Sequence, residues 1–187
     1  MKQLILASQS PRRKEILEKC NVPFQCIPAD IDETLQKDIS LYKAVKELSF
    51  SKANAILKQY PDAIVIGSDT IVAFNGIPLG KPKTKEKAFE MLKKIQGNTH
   101  EVITGLAFVS NQKTFKDVSV SKVTFASMSD GEINAYIDTG ECYDKAGAYG
   151  IQGYVGRYIT HIEGDFYSIM GLPLHLVYKE LKNIGLY

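Results

Sequence analysis

The sequence predicts an α/β protein built on a mixed, twisted sheet flanked by helices. Three observations carry this: short β-branched apolar runs, intervening segments with apolar residues at helical spacing, and a hairpin signal at Asn75-Gly76. Loose alternation of strands and helices gives parallel pairs, and the mid-chain hairpins add antiparallel ones.

The opening Gln3 to Ala7 is a compact apolar run and reads as a buried strand. Ser10-Pro11 then starts a helix, with serine at the N-cap and proline at the first helical position, ending near Cys20-Asn21. Phe24 to Pro28 reads as a second strand, followed by the acidic loop Asp30-Ile31-Asp32-Glu33. From Ser40 to about Tyr60, residues Leu41, Ala44, Val45, Leu48, Ala55 and Ile56 recur at helical spacing. Ala63 to Phe74 is a strongly β-branched strand closed by Asn75-Gly76, the hairpin signal. Thr84 caps a helix over Lys85 to Gln96, which Gly97 stops. Strands follow over Glu101 to Val109 and Thr114 to Phe125, and Ser129-Asp130-Gly131-Glu132 is a capping box opening a helix that ends at Gly140. Beyond a glycine-rich stretch from Lys145 to Arg157, Tyr158 to Ile162 and Phe166 to Met170 read as short strands around Gly164-Asp165. Pro173 opens a final helix towards Ile184.

With 187 residues and no linker or repeat, the chain is expected to form one domain, 1–187, with two lobes around a cleft. A net charge of +2 is too small for the footprint of a dedicated nucleic-acid binder. The three cysteines, Cys20, Cys26 and Cys142, lack paired spacing, so buried free thiols are expected rather than disulfides or a zinc site. The first apolar run is too short for a signal-peptide core or a membrane span, and nothing later approaches one. A cytoplasmic protein is expected.

Ser8-Gln9-Ser10-Pro11-Arg12-Arg13 is the most informative segment chemically. A helix N-terminus already carries partial positive charge, so Arg12 and Arg13 in its first turn ask for something negative. A phosphate chain answers, held by backbone N–H groups, the Ser8 or Ser10 hydroxyl and guanidinium forks; pairing with Glu15 and neighbouring acids answers equally well. Asp69 sits in the apolar run Ile64 to Val72, where a carboxylate is costly unless it is paired or binds a cation. It is a candidate catalytic base or metal ligand, or else an aspartate capping a turn. Glu33 or Asp32 offers a second oxygen ligand for magnesium, unless both are solvated loop acids. Lys81, in Gly80-Lys81-Pro82, is placed to neutralise phosphate, and Lys52 on the long helix is a further cation or a plain surface lysine. Around Tyr149 to Tyr154 the glycines at every third residue suit close approach of backbone to a flat ligand. There Gln152 offers one acceptor and two donors, complementary to the imide edge of uracil or thymine, if it does not simply face water. Two decoys are set aside: Asp138-Thr139-Gly140 is a helix end rather than a protease motif, and His161-x-Glu163-x-Asp165 follows from strand alternation.

Five segments in this order resemble the Maf family (septum-formation-inhibitor-like proteins) of nucleoside triphosphate pyrophosphatases. They are Leu6 to Arg13, Gly67-Ser68-Asp69-Thr70, Gly80-Lys81-Pro82, Gly150-Ile151-Gln152-Gly153, and Ile162-Glu163-Gly164-Asp165 leading to Gly171-Leu172-Pro173-Leu174. The resemblance implies a mixed α/β fold with a central cleft, similar to inosine triphosphate pyrophosphatases. Asp69-Thr70 together with Gly150 to Gly153 resembles the branch acting on dTTP and UTP rather than the one acting on 7-methyl-GTP. It implies that Asp69 is the proton acceptor, that Arg12, Thr70 and Gln152 influence substrate choice, and that Ser8, Arg13, Glu33, Lys52 and Lys81 line the same cleft. A divalent cation (magnesium, manganese or cobalt) on Asp69 and Glu33 is expected, and the resemblance favours a homodimer. Tyr154 to Tyr158 is more aromatic than the family leads one to expect. The rival functions are a nucleotide-binding regulator of cell division without turnover, and a pyrophosphatase for methylated purine nucleotides.

Overall fold

A computed structural model describes residues 3–36 and 38–187. The chain divides into two compact units, each discontinuous in sequence: residues 1–70, 104–119 and 171–187 form the first, and residues 71–103 and 120–170 the second. Among the described residues no helix is long and apolar enough to cross a membrane.

The elements follow the predicted order except at Phe166–Met170. They are β1 (Leu4–Leu6), α1 (Pro11–Glu18), β2 (Gln25–Cys26), α2 (Leu41–Leu57), β3 (Ile64–Phe74), β4 (Ile77–Leu79), α3 (Lys85–Ile95), β5 (Thr99–Val109), β6 (Thr114–Phe125), α4 (Asp130–Asp138), β7 (Ile159–Glu163), α5 (Phe166–Met170) and α6 (Leu174–Asn183). Short 3-10 turns occupy Ala146–Ala148 and Tyr154–Tyr158. Among the described residues seven strands form one mixed sheet in the order β2-β1-β3-β5-β6-β7, with β4 paired to β3. Strand β1 runs parallel to both β2 and β3, whereas β3–β4 and β6–β7 are antiparallel. The mixed sheet expected from loose alternation plus hairpins is therefore the one observed.

In the first unit, α2 is held by its Ser40 cap, whose side chain accepts the Lys43 N–H. Its inner face buries Ala53, Ile56 and Leu57 with Ile5 and Ala7, Val65 of β3, and Ala107 and Val109 of β5. Two glycines set how closely α2 lies on these strands. A Cβ on Gly67 would run into the Ser49 carbonyl oxygen and stand 2.9 Å from the Ala53 nitrogen. One on Gly105 would run into Ser49 Oγ and stand 2.5 Å from the Val45 carbonyl oxygen. Backbone therefore meets backbone at both crossings.

In the second unit α3 packs on α4, which opens with the full Ser129–Glu132 capping box. The core there is aromatic. The His100 ring meets Tyr149 edge-on at 5.3 Å and Phe125 at 5.5 Å, and His100 Nε2 lies 2.7 Å from the Tyr149 hydroxyl. His100 Nδ1 is buried without a hydrogen-bond partner, and burial pulls the imidazole down to about 4. The same burial pushes the Tyr149 phenol upward.

Three expectations need correction. Phe166–Met170 is a helix, not a strand. Asp165 caps it, its carboxylate accepting the Tyr167 N–H at 2.9 Å and its carbonyl the Ile169 N–H at 3.2 Å. Ser10 stands at the N-cap of α1, but its side chain makes no cap bond. The local turn is made by Ser8, whose hydroxyl accepts the Ser10 N–H at 3.1 Å. Finally, all three cysteines are free and Cys20 and Cys142 are buried, but Cys26 is exposed because β2 is a two-residue edge strand. The aspartic-protease decoy is a helix end as expected: Asp138 closes α4 and Gly140 follows its cap.

Two outcomes follow. Gly67→Ala should lower stability by roughly 2–3 kcal/mol, because the new methyl meets helix backbone that cannot yield as a side chain would; urea unfolding reads this directly. His100 has a folded pKa of about 4 against an unfolded 6.5, so the unfolded chain binds more protons between those values. Its contribution is full above pH 6.5 and fades as pH falls towards 4, a loss of roughly 3 kcal/mol. In denaturant titrations His100→Gln should flatten that decline relative to the wild type.

Candidate active site

Six of the residues singled out in the sequence come together in the first unit, and each arrives there for a local reason. Strand β3 is buried continuously from Ile64 to Ser68 and opens at Asp69 and Thr70. The Asp69 side chain keeps 13% of its exposure. Facing it is Lys52, carried on the buried face of α2 and 7% exposed. The Lys52 ammonium lies 2.6 Å from Asp69 Oδ1 and 2.8 Å from Glu33 Oε1. Lys52 is thus no surface lysine; two carboxylates offset the cost of burying its charge. Glu33 reaches in from the loop after β2 with 57% of its side chain exposed. Its neighbour Asp32 is spent locally on Thr34, accepting the backbone N–H at 2.9 Å and the hydroxyl at 2.6 Å, and these bonds hold its carboxyl below the ordinary value. Of the two loop acids, Glu33 is therefore the one at the site.

Arg13 turns inward from the first turn of α1. Its Nε donates to the Gly171 carbonyl at 2.8 Å, with longer contacts from Nη1 to Ser8 Oγ and from Nη2 to Thr70 Oγ1, both 3.4 Å. Burial pulls the guanidinium below its usual value, while the charges of Asp69 and Glu33 act in the opposite direction. No acid occupies the first turn of α1, so the charge there is answered by groups distant in sequence rather than by the helix itself. Arg12, one position earlier, is half-buried.

Four supporting residues were given no role by sequence reasoning. Thr104 on β5 is fully buried, its hydroxyl 3.0 Å from that of Thr70. Ser68, also fully buried, lies with its hydroxyl 2.8 Å from the Gly105 carbonyl oxygen and 2.9 Å from that of Gly171. Gly171 has φ 124° and a Cβ there would stand 3.4 Å from Arg13 Nε, so only glycine presents its carbonyl to both Ser68 and Arg13. A buried hydroxyl in an apolar strand was the available signal for Ser68 and Thr104, since such groups require partners.

Lys81 and Gln152 belong to the second unit, and both are exposed. Within that unit the Gly147 N–H donates to the Gly80 carbonyl at 3.1 Å, which ties the Gly80-Lys81-Pro82 turn to the glycine-rich segment. The segment bearing Gln152 is braced by Glu141, the fourth missed residue, whose carboxylate accepts the Tyr154 N–H at 3.0 Å. Lys145 Nζ in turn donates to the Glu141 carbonyl at 2.5 Å. The unexpected aromatics have a local use: the Arg157 guanidinium stacks on Tyr154 at 3.7 Å, and Tyr154 stacks on Tyr136.

Among the described residues no cluster of three or more His, Cys, Asp or Glu side chains forms a metal cage. The Asp69–Glu33 pair still suits a hard divalent ion. Both are carboxylates, both already engage one cation at hydrogen-bond distance, and magnesium takes one or two protein carboxylates with water and substrate phosphate completing its shell. The cluster can do three things: place cations beside an anionic chain, present a fixed carboxylate, and share that carboxylate with a metal.

The chain is similar to several relatives and solved structures over nearly its whole length. The dTTP/UTP pyrophosphatase of Geobacillus sp. (strain WCH70) is 46% identical over 185 residues, covering 99% of this chain and 100% of that protein. Those of Bacillus cytotoxicus and Bacillus anthracis (strain CDC 684 / NRRL 3495) are 46% and 44% identical, covering 97% and 100% of this chain and 95% and 97% of their own lengths. Two solved structures share the fold at low identity. The Staphylococcus aureus Ham1 protein has a TM-score of 0.56 at 14% identity, covering 97% of this chain and 99% of that one. A HAM1 protein from Coxiella burnetii has a TM-score of 0.57 at 16% identity, covering 98% and 100%. The family model described as Maf-like protein matches residues 3–184, and the chain belongs to that family.

Proposed function

We propose that the protein hydrolyses pyrimidine nucleoside triphosphates, dTTP and UTP among them, to the monophosphate and pyrophosphate, and that it does so in the cytoplasm. The observation that carries the reading is the half-buried middle of β3, where Asp69 stands ordered by a buried lysine with Arg13 close by. The names of relatives 44–46% identical over nearly the whole chain support the substrate class.

The phosphate chain lies at the N-terminus of α1, where Ser8, Arg12 and the first-turn N–H groups receive it. Arg13 contributes charge from a fixed position, since its Nε is committed to Gly171. With the Lys52 ammonium, or a metal ion in its place, on Asp69 Oδ1, Oδ2 is left to take the proton of the attacking water. A divalent ion (magnesium, manganese or cobalt) held by Asp69 and Glu33 would supply Lewis-acid stabilisation of the phosphate oxygens. Water adds at the α-phosphorus as the bond to the pyrophosphate oxygen breaks, and Lys81 neutralises the charge that leaves. Thr70 and Gln152 read the pyrimidine, with Gln152 pairing to its imide edge. Most of the acceleration comes from positioning and from charge already in place. The two units act as the lobes of one domain, and modified pyrimidine nucleotides fall within the same chemistry.

Pyrophosphate release from a panel of nucleoside triphosphates, with magnesium or manganese and again with a chelator, tests this first. Chelator-sensitive turnover of UTP and dTTP, with purines poor, is expected; tight nucleotide binding without turnover would replace the enzyme with a sensor. Asp69→Asn should cut kcat by about 100-fold or more while binding of a non-hydrolysable analogue persists, because asparagine still accepts from Lys52 but takes no proton. Near-normal turnover would remove Asp69 from the chemistry. Gln152→Ala should flatten the preference among bases in competition assays, and an unaltered preference would reject it as the reader.

A further inference from the structure

We infer that Lys52 is a resident counter-ion that keeps divalent cations off the Asp69–Glu33 pair until a phosphate draws its ammonium away. This rests on reading those two carboxylates as the metal-binding pair.

The argument begins with space. One nitrogen lies 2.6 Å from Asp69 Oδ1 and 2.8 Å from Glu33 Oε1, so the ammonium occupies the ground between the two acids. A magnesium ion shared by the same oxygens would stand at about 2.0–2.1 Å from each, and two cations cannot occupy that ground together. For an ion to enter, the ammonium must leave.

Charge and burial then decide when it leaves. Lys52 is 7% exposed, so retreat into bulk water is not open to it without moving α2. An ammonium on a flexible four-carbon stem can nevertheless swing to a nearby acceptor, and a nucleotide phosphate is one. Arg13 is the contrast: its Nε is fixed to the Gly171 carbonyl. Glu33 is carried on a loop and remains 57% exposed, so it can shift from ammonium to metal without disturbing the core. The three groups together carry one net negative charge; once the ammonium goes to phosphate, the acids present two. Nucleotide thus precedes or accompanies the ion, and the free protein does not hold metal idly.

The test is Mn2+ binding to the nucleotide-free full chain, read from the electron paramagnetic resonance signal of unbound Mn2+. Wild type should bind weakly. Lys52→Met and Lys52→Gln should each bind about tenfold tighter or more, and adding Glu33→Gln to Lys52→Met should erase the gain. With chelator present, a non-hydrolysable dUTP analogue should bind Lys52→Met several-fold more weakly than wild type. Micromolar Mn2+ binding by the nucleotide-free wild type would overturn the proposal whatever the variants do. Equal Mn2+ affinity in wild type and either variant, with matching circular dichroism spectra, would overturn it too. Turnover of dTTP by the wild type is assayed in parallel. Turnover with unchanged Mn2+ affinity in the variants removes the role of Lys52 alone, whereas no turnover removes the functional reading itself.

Discussion

Helix α2 lies on β3 and β5 at backbone distance, and the arrangement of charge in the first unit depends on that closeness. At Gly67 and Gly105 any side chain would strike α2 between Val45 and Ala53, so the helix settles where only hydrogen atoms intervene. The same helix face then carries Lys52 to Asp69, two residues beyond Gly67 on the strand. A larger residue at either crossing would raise the helix and lengthen a contact that holds a buried ammonium in place. The apolar packing of Ala53, Ile56 and Leu57 maintains the seat, and the glycines set its depth.

Around that seat the first unit places cations before any ligand is present. Arg13 is pulled inward despite the penalty of burial, which lowers its affinity for its proton, and the nearby carboxylates work against that penalty. Its fixed bond is to a main-chain carbonyl, so the carboxylates remain available to Lys52. Ser68 and Thr104 do for the uncharged part what Lys52 does for the charged part. Each is fully buried and satisfied, and together they tie β3 to β5 and to the Gly171 carbonyl. Apart from the Lys52 ammonium and the Glu33 loop, a site built this way changes little in shape when an anion arrives, which is where electrostatic preorganisation obtains its advantage.

The fold was legible in the sequence wherever periodicity and capping agreed. The Ser129–Glu132 box, the Thr84 cap and the Asn75-Gly76 hairpin are local chemistry, and each appears at its expected place. Phe166–Met170 was misread because a five-residue run with four apolar or aromatic members suits strand or helix alike, and the deciding signal was the Asp165 carboxylate just before it. Asp69 and Arg13 stood out because each breaks a local rule: a carboxylate in an apolar strand, a cation at a helix N-terminus. Lys52 and Thr104 break none. Lysine is at home on a helix and threonine in a strand, so their importance arises only from which neighbours the tertiary structure supplies. Glu33 and Asp32 are adjacent and chemically alike, and only the pairing of Asp32 with Thr34 separates them.

The bond from Arg13 to the Gly171 carbonyl spans 158 residues, and the first unit is assembled from three separate stretches of chain. On a ribosome adding 5–20 residues each second, Arg13 emerges roughly 10–30 s before its acceptor exists. Throughout that interval the guanidinium has no carbonyl to receive it, and Ser68, once made, lacks at least one of its two acceptors. The middle stretches, which make up the second unit, are synthesised before the first can close. Nascent chains therefore pass through a period in which part of the protein is foldable while its charged pocket is not yet built. Residues 171–187 carry the carbonyl that ends this period.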